Sequence, residues 1–191
     1  MFERFTKDAR TVVQGAVGHA EAADARTVDT GHLLLALLDR EGSRASFALT
    51  ALGAGGERRD SVRRALAEAR RRAGLTQAET DALAGLGIDV SEVVARVEEV
   101  HGVGVMSGER KGGGRRWSGH RGFDRGAKEV LEKALRVAVA RRDRRIGDEH
   151  LLLALTIRPG VPAEVLADHG VTHESLTRVL GDGSGEGAGA A

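Results

Sequence analysis

Two histidines open two identical stretches, His32-Leu-Leu-Leu-Ala-Leu37 and His150-Leu-Leu-Leu-Ala-Leu155. An imidazole titrates near neutral pH and ligates metals, and Asp148-Glu149 beside His150 adds carboxylates to the set. Adjacent positions on a helix point in different directions, however, so the Asp-Glu-His run is not spaced as a ligand set. There is no His-Glu-x-x-His, no Gly-x4-Gly-Lys-Ser/Thr phosphate loop and no cysteine. Gly181-Asp-Gly183-Ser-Gly185 lies in a Gly- and Ala-rich tail that cannot preorganise a nucleophile. The repeated histidines are therefore read as packing at the first turn of a helix, each satisfying a local backbone group. No catalytic residue, metal site or cofactor is assigned, and the chain is read as a non-enzyme. A second chemistry is offered by Arg58, Arg59, Arg63, Arg64, Arg70, Arg71 and Arg72. Such a helix could neutralise phosphates, but Glu57, Asp60 and Glu68 interleave with it, and a solvated face is the simpler reading. Arg115-Arg116-Trp117 could stack on a base, yet no other aromatic is near. Arg141-Arg142-Asp143-Arg144-Arg145 reads as a solvated turn after a helix C-terminus.

The elements that carry these residues form a repeat. Phe5 to Leu38 aligns with Phe123 to Thr156 at a constant spacing of 118 residues, without a gap. Phe5 matches Phe123, Ala9 matches Ala127, Val12–Val13 match Val130–Leu131, and Val28 matches Ile146. The matches are apolar and recur at three- and four-residue steps, so it is packing that is duplicated. Thr6 caps a helix to about Ala23, with Phe5 as its staple. Asp29 or Thr30 caps a central helix from His32 to about Arg40, and short helices follow at 45–52 and 57–73. Thr76-Gln-Ala-Glu79 opens another to about Ala84, and Asp89 or Ser91 caps one to about Val100. In the second half, Asp124 caps a helix to about Arg142, Asp148 caps His150–Ile157, Pro162 starts one to Asp168, and Thr172 caps the last, to Leu180. Residues 54–86 have no counterpart in the second half. The predicted organisation is a first unit at 1–101 with 54–86 inserted, a linker at 102–122, a second unit at 123–180 and a disordered tail at 181–191.

Composition agrees. The chain has 191 residues, 41% of them apolar but only 3% aromatic, so an Ala/Val/Leu core of close-packed helices is expected. The 29 basic and 28 acidic residues balance to a net charge of +1, which gives no global argument for nucleic acid or membrane. No run approaches the ~20 apolar residues of a membrane helix. The Met-Phe-Glu-Arg-Phe start lacks a signal-peptide core. A soluble, cytoplasmic protein is expected.

The sequence is also similar to a known family. Met1-Phe-Glu-Arg-Phe-Thr6 with Ala9-Arg10 and Val12-Val13 resembles the start of ClpC-type unfoldases. Thr30-Gly-His-Leu-Leu-Leu-Ala-Leu37 and Gly147-Asp-Glu-His-Leu-Leu-Leu-Ala-Leu155 resemble the family's twice-used Gly-Thr-Glu-His-Ile-Leu-Leu-Gly-Leu. Leu86-Gly-Ile88 through Val97-Glu-Glu99 resembles the close of its first repeat. Gly119-His120, Phe123, Arg125, Ala127-Lys128 and Val130-Leu-Glu132 resemble the opening of its second. The resemblance implies a Clp N-terminal (Clp repeat) domain: an all-α, pseudo-twofold double repeat of four-helix motifs, here with an extra helical insertion and no ATPase module. It implies a protein- or peptide-binding module, an adaptor, regulator or decoy for Clp unfoldase and protease components, their adaptors, or cyclic peptides. The binding groove between repeats carries over to Phe2, Gln14, His120, Phe123, Lys128, Leu131 and Glu132, with Gln14 in place of an apolar residue. The family also reads phosphoarginine through the Glu of each Thr-Glu-His. Here Gly31 replaces the first Glu, and Glu149 keeps the second beside Asp148, so two sites become at most one, weakened. The second reading of the chain is a nucleic-acid-associated regulator using Arg58–Arg72.

Overall fold

The computed structural model describes residues 2–102, 105–106 and 121–181. Among them, ten α-helices follow a 3₁₀ turn at Phe2–Arg4, and extended pairing is limited to two isolated bridges. The first half holds α1 (Lys7–Ala22), α2 (Thr30–Leu38), α3 (Arg44–Ala51) and α4 (Glu57–Arg71), then α5 (Gln77–Gly85) and α6 (Val90–His101). The second half holds α7 (Arg125–Ala140), α8 (Asp148–Ile157), α9 (Val161–Asp168) and α10 (His173–Leu180). The all-α double repeat expected from the sequence is what the chain forms.

Local chemistry sets the helix starts. Thr6, Asp29, Thr76, Asp124 and Thr172 each accept a backbone N–H from the first turn through their side chains, satisfying donors that have no partner within the helix. One expected cap is corrected. Asp148 is the first residue of α8 rather than its cap, and Gly147 holds the cap position. The Asp148 carboxylate instead reaches across the molecule and accepts the Ala45 N–H at 3.3 Å, in the first turn of α3.

The two halves close on each other reciprocally. Thr6 N–H donates to the Ile146 carbonyl (2.9 Å) and Ile146 N–H to the Arg4 carbonyl (2.8 Å). At the related place, Asp124 N–H donates to the Val28 carbonyl and Val28 N–H to the Gly122 carbonyl, both at 2.9 Å. These are the Phe5–Ile146 and Val28–Phe123 bridges, built from the residues that the repeat aligns. The central helices are the most deeply buried elements: Leu33, Leu34, Leu37 and Leu38 of α2, and Leu151, Leu152, Leu153 and Leu155 of α8, are all essentially inaccessible. Cutting one such leucine to alanine costs about 2–5 kcal/mol, so these helices anchor the fold.

Each central helix is covered by a helix of the other half: α3 packs on α8, and α9 on α2. The next helices follow the same exchange, with α10 on α3 and α4 on α9. We therefore read α4 as the counterpart of α10, which moves it out of the 54–86 segment expected to lack one; α5 is what remains of that segment, and α6, expected to close the first repeat, pairs with α5 instead. His169 at the end of α9 bonds Ser61 of α4 (3.1 Å), and Glu164 accepts the Gln77 N–H (2.7 Å), fixing α4 and the start of α5 over α9.

Candidate functional site: the two central-helix N-termini and the seam

The repeated histidines do the same backbone work twice. His150 Nδ1 accepts the Gly147 N–H at 2.9 Å. That leaves the ring proton on Nε2, which donates to Asp143 Oδ2 at 2.9 Å. His32 Nδ1 lies 3.1 Å from the Asp29 N–H, and Asp29 Oδ1 accepts the His32 N–H at 2.8 Å. Both imidazoles are 1% exposed. Both sit at the third helical position and hold the cap N–H; at α2 Asp29 returns the bond to complete a capping box, whereas Gly147 has no side chain to do so at α8, and both agree with the local-backbone role read from the sequence.

Around that shared device the two ends differ. At α2, Arg70 of α4 places its guanidinium on both Asp29 oxygens, at 3.0 and 3.3 Å. A Cβ at Gly31 would stand 3.0 Å from Arg70 Nη2 and 3.2 Å from Asp29 Oδ1, so the glycine leaves the guanidinium its room. Burial pushes the Asp29 carboxyl up, but the His32 hydrogen bonds and the Arg70 charge together outweigh it and hold it below its ordinary value. At α8, Glu149 is 4% exposed and sits 3.1 Å from Arg44 of α3. Here burial wins: despite Arg44 and a backbone hydrogen bond, and helped by neighbouring Asp148, the Glu149 carboxyl is raised. Burial also lowers His150, against the pull of Asp143. Thr6, Asp8, Arg44, Asp143, Arg144, Arg145, Asp148 and Glu149 line an open cleft of about 430 Å³ here, with residues from both halves.

Asp143, Glu149 and His150 bring one donor atom each within 4.8 Å of one another. The donor set does not fit a metal: both imidazole nitrogens are engaged by Gly147 and Asp143, and Glu149 already faces Arg44. Asp143 and Arg141 are not the solvated turn residues expected from the sequence. Asp143 is the partner of a buried histidine, and Arg141 donates to the carbonyls of Leu180 and Gly181. Arg141's partners lie 39 and 40 residues away, beyond any local pattern, whereas Asp143 stands seven residues before His150 across the turn.

The sequence model of the Clp repeat (R) N-terminal domain matches residues 4–100 and 122–190. This chain belongs to the Clp repeat N-terminal domain family. Two solved structures show the same fold. One comes from work on a malarial protein secretion system, with 14% identity, a TM-score of 0.56, and 93% of this chain and 92% of that chain covered. The other is the N-terminal domain of the caseinolytic protease associated chaperone ClpD from Arabidopsis thaliana, with 20% identity, a TM-score of 0.50 and 94% of each chain covered.

Of the Clp-repeat groove positions, His120 lies outside the described residues, as does the side chain of Phe2, whose backbone is in the opening 3₁₀ turn. Phe123 is half-buried beside the Val28 bridge, packed against the core. Leu131 belongs to the core itself. Lys128 and Glu132 are exposed one helical turn apart on α7, and Gln14 is exposed on α1. The Arg-rich helix α4 is less free than a solvated face. Arg59 pairs with Glu41, Arg63 with Asp39 (2.6 Å), and Arg70 with Asp29. No single described helix is long and apolar enough to cross a membrane.

Proposed function

We propose that this chain is a Clp-type protein- or peptide-binding module without catalytic activity, acting as an adaptor, regulator or decoy toward Clp chaperone–protease components. The observation that carries the reading is the family match over both repeats. The groove is proposed at the seam near Phe123, with exposed Lys128 and Glu132 as its polar rim and Gln14, Phe2 and His120 as further contributors. Lys128 and Glu132 suit this role because they are free of the core, whereas Leu131 supports the wall from beneath. Phosphoarginine is not expected to bind at either helix N-terminus. In-chain guanidiniums already stand on Asp29 and Glu149, and Gly31 provides no carboxylate. The proposed setting is cytoplasmic.

The test is titration of a permanently unfolded polypeptide, reduced carboxymethylated lactalbumin, into the protein without nucleotide. Saturable binding that weakens in Lys128→Glu and Glu132→Lys supports the reading. Absence of binding, or binding indifferent to both charge reversals, contradicts the groove. The nucleic-acid reading keeps Arg58, Arg64 and Arg71 as its exposed arginines; a duplex gel shift steeply reduced by salt would favour it.

A further inference from the structure

Among the described residues, three helix pairs share one turn. Gly53, Gly87 and Gly170 have φ of 78°, 80° and 77°. The next residue returns its N–H to a carbonyl five positions back: Ala54 to Leu49 (2.8 Å), Ile88 to Leu83 (2.9 Å) and Val171 to Leu166 (2.8 Å). Each is a leucine, three residues, a left-handed glycine and an apolar residue, the pattern of a helix C-terminus stapled to the next helix. α5–α6 is thus a third copy of the unit seen in α3–α4 and α9–α10.

The first two copies bury this face on a central helix. Leu49, Ala54, Leu166 and Val171 are fully inaccessible, with α3 on α8 and α9 on α2. Both central helices are thereby covered, and the third copy packs chiefly on itself. Its apolar residues stay open to solvent: Leu86 is 77% exposed, Ile88 42%, Val93 44% and Val100 74%. On α6 a stripe runs through Val90, Val93, Val97 and Val100 at alternating three- and four-residue steps, with Val90 buried, Val97 half-buried and Val93 and Val100 open. Four large apolar side chains left open on one helix pair mark an interaction surface. Charge specifies the partner. Residues 77–101 hold Glu79, Asp81, Asp89, Glu92, Glu98 and Glu99 against a single Arg96, a net charge of −5, and Arg96 is already paired with Glu92 at 2.6 Å.

We propose that the exposed face of α5–α6 docks an amphipathic helix of another protein, apolar along one stripe and flanked by lysine or arginine. The partner is helical because the two sibling copies use this same face to cover a leucine-rich helix. It is basic because the acidic segment attracts cations and repels a second copy of itself. The face shares no residue with the groove near Phe123 and rests on observations independent of it.

The test uses the full chain and a short fluorescent leucine–lysine peptide designed as an amphipathic helix, with a leucine–glutamate peptide of the same pattern as control. Anisotropy is expected to show saturable binding of the lysine peptide, weakened by salt, and none of the glutamate peptide. The double variant Leu86→Ser/Val100→Ser, which alters only exposed side chains, is expected to lose about tenfold or more in affinity. Glu99→Lys should weaken binding by a smaller factor, and thermal melts confirm that both variants fold. Failure of the lysine peptide to bind overturns the proposal, as does equal binding by wild type and double variant. A concentration-dependent dimer in sedimentation that Leu86→Ser/Val100→Ser dissolves would overturn it too, by showing that a second copy covers the face.

Discussion

The N-terminus of α2 and the N-terminus of α8 answer one structural problem with opposite electrostatics. Each buries a histidine at the third position to hold the backbone N–H at the start of the helix. At α2 the acid is the cap itself, Asp29, and it remains partly open to solvent, with its carboxyl lowered. At α8 the acid has moved inside the helix as Glu149, 4% exposed on the cleft wall, with its carboxyl raised. The guanidiniums come from different helices, α4 in one case and α3 in the other. A duplicated sequence therefore preserves the packing and the histidine while the charged groups around it are free to diverge. Surface-accessible pairs constrain a fold weakly; enclosed ones constrain it strongly.

The largest effect should come from removing each guanidinium in turn. Arg44→Ala takes a cation that is itself 59% exposed from a carboxylate that is 5% exposed, and is expected to cost about 1–2 kcal/mol in urea unfolding. Arg70→Ala strips a partly solvated carboxylate and should cost less than about 1 kcal/mol. Equal losses would erase the distinction between the two ends.

A gain of about 1 kcal/mol is expected at the next level of detail. His32 Nε2 is buried without a protein partner among the described residues, whereas His150 Nε2 has Asp143. The residue matching Asp143 is Ala25. The turns are alike: Asp24 and Arg142 both have positive φ, 49° and 59°, and the following N–H returns to Ala20 and Ala138 respectively. Ala25→Asp should thus offer His32 the missing acceptor and raise the unfolding midpoint. The double variant Ala25→Asp/His32→Asn should show no such gain.

The pH dependences should run in opposite senses. Glu149 has a raised folded pKa, so the folded state binds its proton more tightly than the unfolded chain. Its contribution falls as pH rises from the ordinary glutamate value through the raised one. Asp29 is lowered, so its contribution is present above the ordinary aspartate value and lost as pH falls below it. Difference curves of stability against pH, wild type minus Glu149→Gln and wild type minus Asp29→Asn, should slope oppositely. Parallel slopes would contradict the assignment.

Most of the fold was legible because it rests on local signals. Apolar spacing gave the helices, and threonine or aspartate before each periodic run gave most starts. The repeat of His-Leu-Leu-Leu-Ala-Leu gave the double architecture. What was not legible is what acts over distance. Asp148 caps a helix 103 residues away, so it was read as the cap of its own. Arg70 reaches Asp29 over 41 residues, and nothing in the α4 sequence separates that arginine from its solvated neighbours. The place of α4 was obscured because its counterpart α10 shares its position but not its sequence. The third copy of the Leu-x3-Gly-apolar turn was visible in principle, but six positions are too few to stand out before the three hydrogen bonds are seen together.

The claim on which the account turns is that the chain's own arginines pair with the acids at both central-helix N-termini, leaving the proposed polypeptide binding to the seam. Calorimetric titration with free phosphoarginine tests it most directly. The expected result is no saturable heat with the wild-type protein. Micromolar binding at two sites would show that Arg70 and Arg44 do not occupy those ends, and would contradict the account.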